Sequence, residues 1–119
     1  GNELIEQAVA YIRENFTSDI TLSALAQKFS VSPEHFSRMF KKETGLGFSK
    51  YLNSLRLQYA EQLLKAGKKR SITRIAEICG FEDSNYFSKK FKELYGISPK
   101  KIQKRDKSGE KQAPSDQSF

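Results

Sequence analysis

Apolar residues return along this chain at the spacing of one helix face, and the stretch from Ser32 to Gly45, SPEHFSRMFKKETG, shows the pattern most fully. On a wheel advancing roughly 100° per residue, Phe36, Met39, Phe40 and Glu43 fall on one side, and Glu34, Ser37, Arg38 and Lys41 on the other. A near copy, DSNYFSKKFKELYG, runs from Asp83 to Gly96. There Phe87, Phe91 and Leu94 are expected inward, against Asn85, Ser88, Lys89 and Lys92 outward. Each stretch predicts a short helix, over 33–44 and 84–95. Ser32 ahead of Pro33 is a start signal, since proline lacks the N–H that a first helical turn leaves unsatisfied. Gly45 and Gly96 predict left-handed stops.

The rest of the chain fits around these two stretches. Leu4, Ile5, Ala8, Val9, Tyr11, Ile12 and Phe16 predict a docking helix over 4–16, with acids on its other side. Asp19 and Thr21 offer a cap for a helix of about two turns carrying Leu22, Leu25, Ala26 and Phe29. From Phe48 to about Ala66 the spacing predicts the longest helix, roughly 28 Å at 1.5 Å per residue, buried through Phe48, Tyr51, Leu52, Leu55, Tyr59, Ala60, Leu63 and Leu64. Ser71 caps a further short helix with Ile72, Ile75, Ala76 and Cys79 inward, and Gly80 takes the turn after it. Ser98-Pro99 opens a last helix anchored by Ile102.

The halves align at an offset of 51 from Ser32 onward, pairing Phe36 with Phe87, Phe40 with Phe91 and Gly45 with Gly96. Upstream the offset is 50, pairing Leu25 with Ile75 and Ala26 with Ala76, so the second turn is one residue longer. Two short helices joined by a few residues outline a helix-turn-helix. The repeat therefore predicts two such units on one chain. The expected architecture is all-α, with about seven helices: a first subdomain over 1–47, a linker helix over 48–67, a second subdomain over 68–103 and a disordered tail over 104–119.

Composition narrows the function. With 37% hydrophobic residues, nine Phe and five Tyr there is enough to bury a core, and no apolar run approaches the roughly 20 residues of a membrane span. The net charge of +7 is uneven: residues 1–20 carry −3, residues 21–103 carry +9 and residues 104–119 carry +1. The repeat-bearing portion is the basic one, which invites polyanions, nucleic acid before an anionic membrane surface. The lone Cys79 has no partner for an internal disulfide and sits beside Ile78 and Gly80, so a buried thiol in a reducing cytoplasm is expected. A single histidine, His35, leaves no dyad or His-based metal cluster. Without a phosphate-cradling glycine loop, a cysteine cluster or an acid/base pair beside a nucleophile, neither an enzyme nor a cofactor is expected.

These residues resemble the AraC/XylS transcriptional regulators, and the match runs over about residues 4–103. It is carried by Arg56-Leu57, Ala60, Leu63-Leu64, IAEICGF at Ile75 to Phe81, YFSKKFK at Tyr86 to Lys92 and GISP at Gly96 to Pro99, with SRMFKKETG at Ser37 to Gly45 in the first unit. Lys90 stands where the first unit has the apolar Met39. The resemblance implies two homeodomain-like helix-turn-helix subdomains joined by a long central helix, their second helices entering successive major grooves of double-stranded DNA. It implies base contacts from Glu34, His35, Ser37 and Arg38 in the first unit, and from Ser84, Asn85, Tyr86, Ser88 and Lys89 in the second. Ser98, Pro99 and Lys100, with Lys41 and Lys92, would meet the phosphates. RNA polymerase is the implied protein partner, and the module itself is expected to be monomeric and to act as an activator or a repressor. A first residue of Gly1 rather than Met leads to the expectation of a piece of a longer regulator.

Chemistry of the side chains agrees with these roles. Arg38 can donate twice to guanine O6 and N7, and Asn85 can pair with adenine N6 and N7, each pair giving roughly 1–3 kcal/mol of discrimination. Lys89 favours guanine with less geometry. Glu34 can only accept, as from cytosine N4. One B-DNA turn is about 34 Å, close to the predicted rod plus its joints, so tandem units are expected to want an asymmetric site of two ordered half-elements. Arg56 is expected in an internal salt bridge, and Lys68, Lys69 and Arg70 in a solvated basic loop. Phe29, Phe36, Phe40, Phe81, Phe87 and Phe91 are expected in the core rather than as platforms for single-strand bases. The rival reading is a basic module that binds an acidic protein or a membrane surface.

Overall fold

The computed structural model describes residues 2–107 and is all-α, with seven helices among the described residues. They are α1 (Glu3–Asn15), α2 (Leu22–Lys28), α3 (Pro33–Thr44), α4 (Phe48–Leu64), α5 (Ile72–Cys79), α6 (Ser84–Tyr95) and α7 (Pro99–Lys107). The chain divides into two compact units at the Arg56–Leu57 junction, inside α4.

The first unit holds α1, α2, α3 and the start of α4. Side-chain oxygens set its helix starts. Asn2 Oδ1 accepts from Ile5 N at 3.3 Å, Thr21 Oγ1 from Ala24 N at 3.1 Å and Ser32 Oγ from His35 N at 3.1 Å. Thr21, not Asp19, is therefore the cap of α2. The core gathers Ile5, Ala8 and Ile12 of α1, Leu25 and Ala26 of α2, Phe36 and Phe40 of α3, and Phe48 and Leu52 of α4. Phe40 is its centre: its ring lies 5.8 Å from Phe36, 6.1 Å from Phe48 and 5.4 Å from Tyr51, the last two edge-on.

Arg56 serves this unit in a way that sequence did not suggest. It is only 9% exposed, and its guanidinium donates from Nε to the Phe16 carbonyl at 2.6 Å and from Nη2 to the Ser18 carbonyl at 2.8 Å. The cation thus holds the carbonyls that close α1 and lead out of it, where a helix C-terminus concentrates negative potential.

The second unit holds the rest of α4 with α5, α6 and α7. Ser71 and Asp83 cap α5 and α6, Asp83 Oδ1 accepting from both Asn85 N (2.8 Å) and Tyr86 N (3.3 Å). Leu57, Ala60 and Leu64 of α4 join Ile75, Ala76, Cys79, Phe81, Phe87, Phe91 and Ile102 in its core. A row of rings runs through it, with Phe81–Phe87 at 5.1 Å, Phe87–Phe91 at 5.8 Å and Phe91–Tyr95 at 4.6 Å. Burial, with the negative charge of the nearby Glu61 carboxylate as the next cause, pushes the Tyr95 phenol up to about 12. Gln103 Nε2 donates to the Arg70 carbonyl at 2.8 Å and fastens α7 to the loop before α5.

The one-residue difference between the two turns lies at Glu82. Val31 N donates to the Ala26 carbonyl at 3.0 Å, and Phe81 N to the Ala76 carbonyl at 2.9 Å, so the two closures match at the offset of 50. Glu82 is then the extra residue before the cap of α6, and it is exposed. At the left-handed position of this closure the second unit has Gly80 (φ 104), while the first has Ser30 (φ 60).

Four expectations need amending. Leu94 is 52% exposed rather than inward, because the stripe closes on Tyr95, one position further along the helix. Helix α4 ends at Leu64 rather than near Ala66, since Ala66 N turns back to the Leu63 carbonyl and Gly67 adopts φ 82. Leu57, outside the predicted stripe, is 4% exposed: α4 contributes its beginning to one core and its end to another, so it buries more of its circumference than a single stripe. Helix α7 runs through Lys107, past the Lys104 boundary expected for the tail; the remainder of that tail lies outside the described residues.

Candidate nucleic-acid interface

Capping places the outward residues of α3 and α6 at equivalent heights. Ser32 with Pro33 at the first helical position puts Glu34 and His35 in the opening turn, Arg38 one turn on and Lys41 in the closing turn. Asp83 does the same for Ser84, Asn85 and Tyr86, with Ser88 and Lys89 one turn on and Lys92 at the end. Glu34, His35, Arg38 and Lys41 are exposed and Ser37 is half-buried on α3; Asn85, Tyr86, Lys89 and Lys92 are exposed and Ser84 and Ser88 half-buried on α6. The face opposite each set is anchored by fully buried rings, Phe36 and Phe40 in one helix and Phe87 and Phe91 in the other.

Ion pairing distinguishes these cations from three others on the surface. Lys65 pairs with Glu61 at 3.2 Å, Arg74 with Glu77 at 3.2 Å and Lys90 with Glu93 at 3.3 Å. Among the described residues Arg38, Lys41, Lys89, Lys92 and Lys100 have no such carboxylate partner. A cation left without an internal counterion, on a helix face whose back is locked into a core, is available to an external anion.

Ser98, Lys92 and a residue that sequence reasoning missed come together at the start of α7. A cleft of about 290 Å³ is lined by Lys92, Gly96, Ile97, Ser98 and Lys101. Ser98 Oγ accepts from Lys101 N at 3.2 Å, capping α7 while its hydroxyl proton stays available to an acceptor. Lys101 could have been found from Ser98, one turn away on the same face. At the repeat offset the first unit carries Lys41, Gly45, Leu46, Gly47 and Lys50 at the same positions. Lys100 is exposed but does not line the cleft. Pro99 corrects an expectation: its side chain is fully buried and it has no N–H, so it fixes the entry of α7 and presents nothing to a phosphate.

Among the described residues no group of three His, Cys, Asp or Glu could hold a metal ion, and no helix is long and apolar enough to cross a membrane. The Cys79 thiol is buried in the second core.

Residues 25–105 match the sequence model of a family described as "Helix-turn-helix domain". The HTH-type transcriptional activator RhaS of Salmonella schwarzengrund (strain CVM19633) is 40% identical over 98 residues, covering 82% of this chain and 35% of that protein. The chain spans about a third of the length of the curated relatives it matches. The C-terminal domain of the two-component response regulator yesN from Fusobacterium nucleatum superposes with a TM-score of 0.75 at 41% identity, over 85% of this chain and 95% of that one. A transcriptional regulator of Chromobacterium violaceum, described among AraC-type DNA-binding domain-containing proteins, gives a TM-score of 0.74 at 29% identity, over 87% and 92%. With two helix-turn-helix units in one all-α chain and relatives of this kind, the chain belongs to the AraC/XylS family of helix-turn-helix transcriptional regulators and is their DNA-binding region.

Proposed function

We propose that this chain regulates transcription by reading two ordered half-elements of one duplex, with α3 and α6 in successive major grooves. The observation that carries the reading is the pair of outward faces whose cations lack internal counterions, each backed by buried phenylalanines. In the first half-element Arg38 donates to guanine, with Glu34, His35 and Ser37 beside it. In the second, Asn85 pairs with adenine and Lys89 with guanine, flanked by Ser84, Tyr86 and Ser88. Lys41 and Lys92 in the closing turns, Ser98 and Lys101 in the cleft, and Lys100 hold phosphates. Residues 1–47 and 68–103 act as the two reading subdomains and 48–67 as their connection. One copy suffices for one such site, and RNA polymerase is the partner of the bound complex in the cytoplasm.

Selection from a randomised duplex library tests this. An asymmetric bipartite consensus is expected. Arg38→Ala should relax preference in one half-element only, and Asn85→Ala in the other, each by roughly 1–3 kcal/mol. Lys41→Ala and Lys92→Ala should instead weaken all duplexes alike and lower the salt slope by about one. No enrichment at all would remove the reader and leave a basic module that binds an acidic protein or a membrane surface.

A further inference from the structure

Tyr86 is the one large apolar ring on the outward face of α6, and it is held from two sides. It is 43% exposed, yet its ring centroid lies 6.3 Å from that of Phe81, which is only 5% exposed and itself 5.1 Å from the Phe87 ring. From the next turn of the helix the Lys90 ammonium sits over the Tyr86 ring, 5.6 Å from its centroid. Glu93 holds that ammonium in turn at 3.3 Å. A cation over an aromatic face is attracted by the ring quadrupole, so each contact restricts the ring.

The first unit lacks every member of this arrangement. At the matching positions it has Val31 for Phe81, His35 for Tyr86, Met39 for Lys90 and Lys42 for Glu93. There Met39 Sδ accepts from Asn2 Nδ2 at 3.5 Å instead. Three of the four differences fall on one flank of α6 and the fourth in the turn that leads into it, whereas the phenylalanines buried by the second helix of each unit, Phe36 and Phe40 against Phe87 and Phe91, are unchanged between the copies.

We infer that Lys90 is a positioning residue for base recognition: it fixes the Tyr86 ring so that α6 reads the 5-methyl group of a thymine in the second half-element. This rests on the proposal that α6 enters a major groove. The thymine methyl is the one apolar group displayed there, and an apolar side chain is what recognises it. A loosely held tyrosine would reach that methyl in few of its rotamers, and fixing the ring removes that loss.

The test uses the duplex selected by the wild-type chain, with each thymine of the second half-element replaced in turn by deoxyuridine, which removes the methyl and nothing else. Wild type should lose roughly fourfold in affinity at one position, the effect of one methylene-sized group buried. Tyr86→Ala and Lys90→Met should bind the parent duplex more weakly and show no such loss on deoxyuridine substitution, while Lys90→Arg, which keeps a cation over the ring, should retain it. Met is the residue at this place in the first unit, so Lys90→Met is compatible with the fold. The role fails if no thymine is methyl-sensitive, if Lys90→Met keeps the full deoxyuridine effect, or if Lys90→Met lowers the salt slope by about one, as a phosphate contact would. A selection that enriches nothing sinks the reader assignment and this inference with it. An enriched second half-element without a Tyr86-dependent methyl effect sinks only the role of Lys90.

Discussion

The two helix-turn-helix units share the buried rings of their second helices and the glycines that close those helices, but diverge along the flanks and in the turn. Phe36 and Phe40 match Phe87 and Phe91, all fully buried, and Gly45 (φ 83) matches Gly96 (φ 77). Ser30 stands against Gly80, Met39 against Lys90, Thr44 against Tyr95, and Glu82 has no counterpart. Positions that fill a core or close a helix admit few residues, so two copies keep them. Positions on the flank are constrained by what approaches from outside, and there the copies are free to specialise.

The largest expected effect tests whether each core belongs to its own unit. Phe40→Ala and Phe91→Ala each remove a fully buried ring, and each should cost about 3–5 kcal/mol. Hydrogen exchange should show protection lost first in α2 and α3 for Phe40→Ala, and in α5 and α6 for Phe91→Ala. Loss of protection in both units from either variant would mean that the cores do not act separately.

Arg56 should come next, and on the first unit alone. Removing its guanidinium leaves the carbonyls of Phe16 and Ser18 without their charged donor, a cost of roughly 2–3 kcal/mol. Arg56→Lys should recover part of this, because one ammonium cannot reproduce two donors set in a planar fork. Chemical denaturation of the three proteins measures the order; an Arg56→Ala protein as stable as wild type would rule the cap out.

How much of this was legible beforehand follows the same division. Four helix starts and the two left-handed stops could be read because each depends on one residue type at one place: Thr21, Ser32, Ser71 or Asp83 before a turn, Gly45 or Gly96 after it. Helices α3 and α6 kept their predicted bounds for that reason. Arg56 was expected to be held internally, as it is, but its carbonyl partners and the burial of Leu57 were not legible, since α4 joins two cores and a wheel assumes one buried side. Pro99 was misread because GISP signals a helix start equally well whether the ring is buried or exposed, and only packing decides. Lys101 escaped because its relevance depends on the cleft that α6 and α7 form. The clamp on Tyr86 escaped too: a lone Lys90 in place of Met39 reads as a lost apolar contact until the ring beneath it is seen.

The turns allow a smaller test of opposite sign. Gly80 at φ 104 and Ser30 at φ 60 occupy the same step of the same closure. A side chain in the left-handed region crowds the following carbonyl, so Gly80→Ala should destabilise by about 1–2 kcal/mol. Ser30→Gly relieves that crowding but loosens the unfolded chain, and the net gain should be no more than about 1 kcal/mol. Melting temperatures should therefore move in opposite directions; two shifts of the same sign would mean that the closures differ in more than this residue.

The smallest effect belongs to the second unit alone, because the position of Tyr95 is Thr44 in the first. With the folded phenol pushed up to about 12 and the unfolded one near 10.0, folded Tyr95 keeps its proton through a window in which the unfolded chain has lost it. The folded state then binds more protons, so stability falls as pH rises from about 10 to about 12, while below that window the contribution is fully present. Lysines and the other tyrosines also titrate there, and they are common to wild type and Tyr95→Phe. The difference between the two proteins is therefore the readout: constant at neutral pH, and shifting against wild type through the window. Glu61→Gln, which removes the charge but keeps a hydrogen-bond acceptor, should bring the phenol down part of the way, leaving the share due to burial. Tyrosinate absorbance during alkaline titration measures both. Identical pH slopes in wild type and Tyr95→Phe would mean that the Glu61 carboxylate and the surrounding core do not hold this proton.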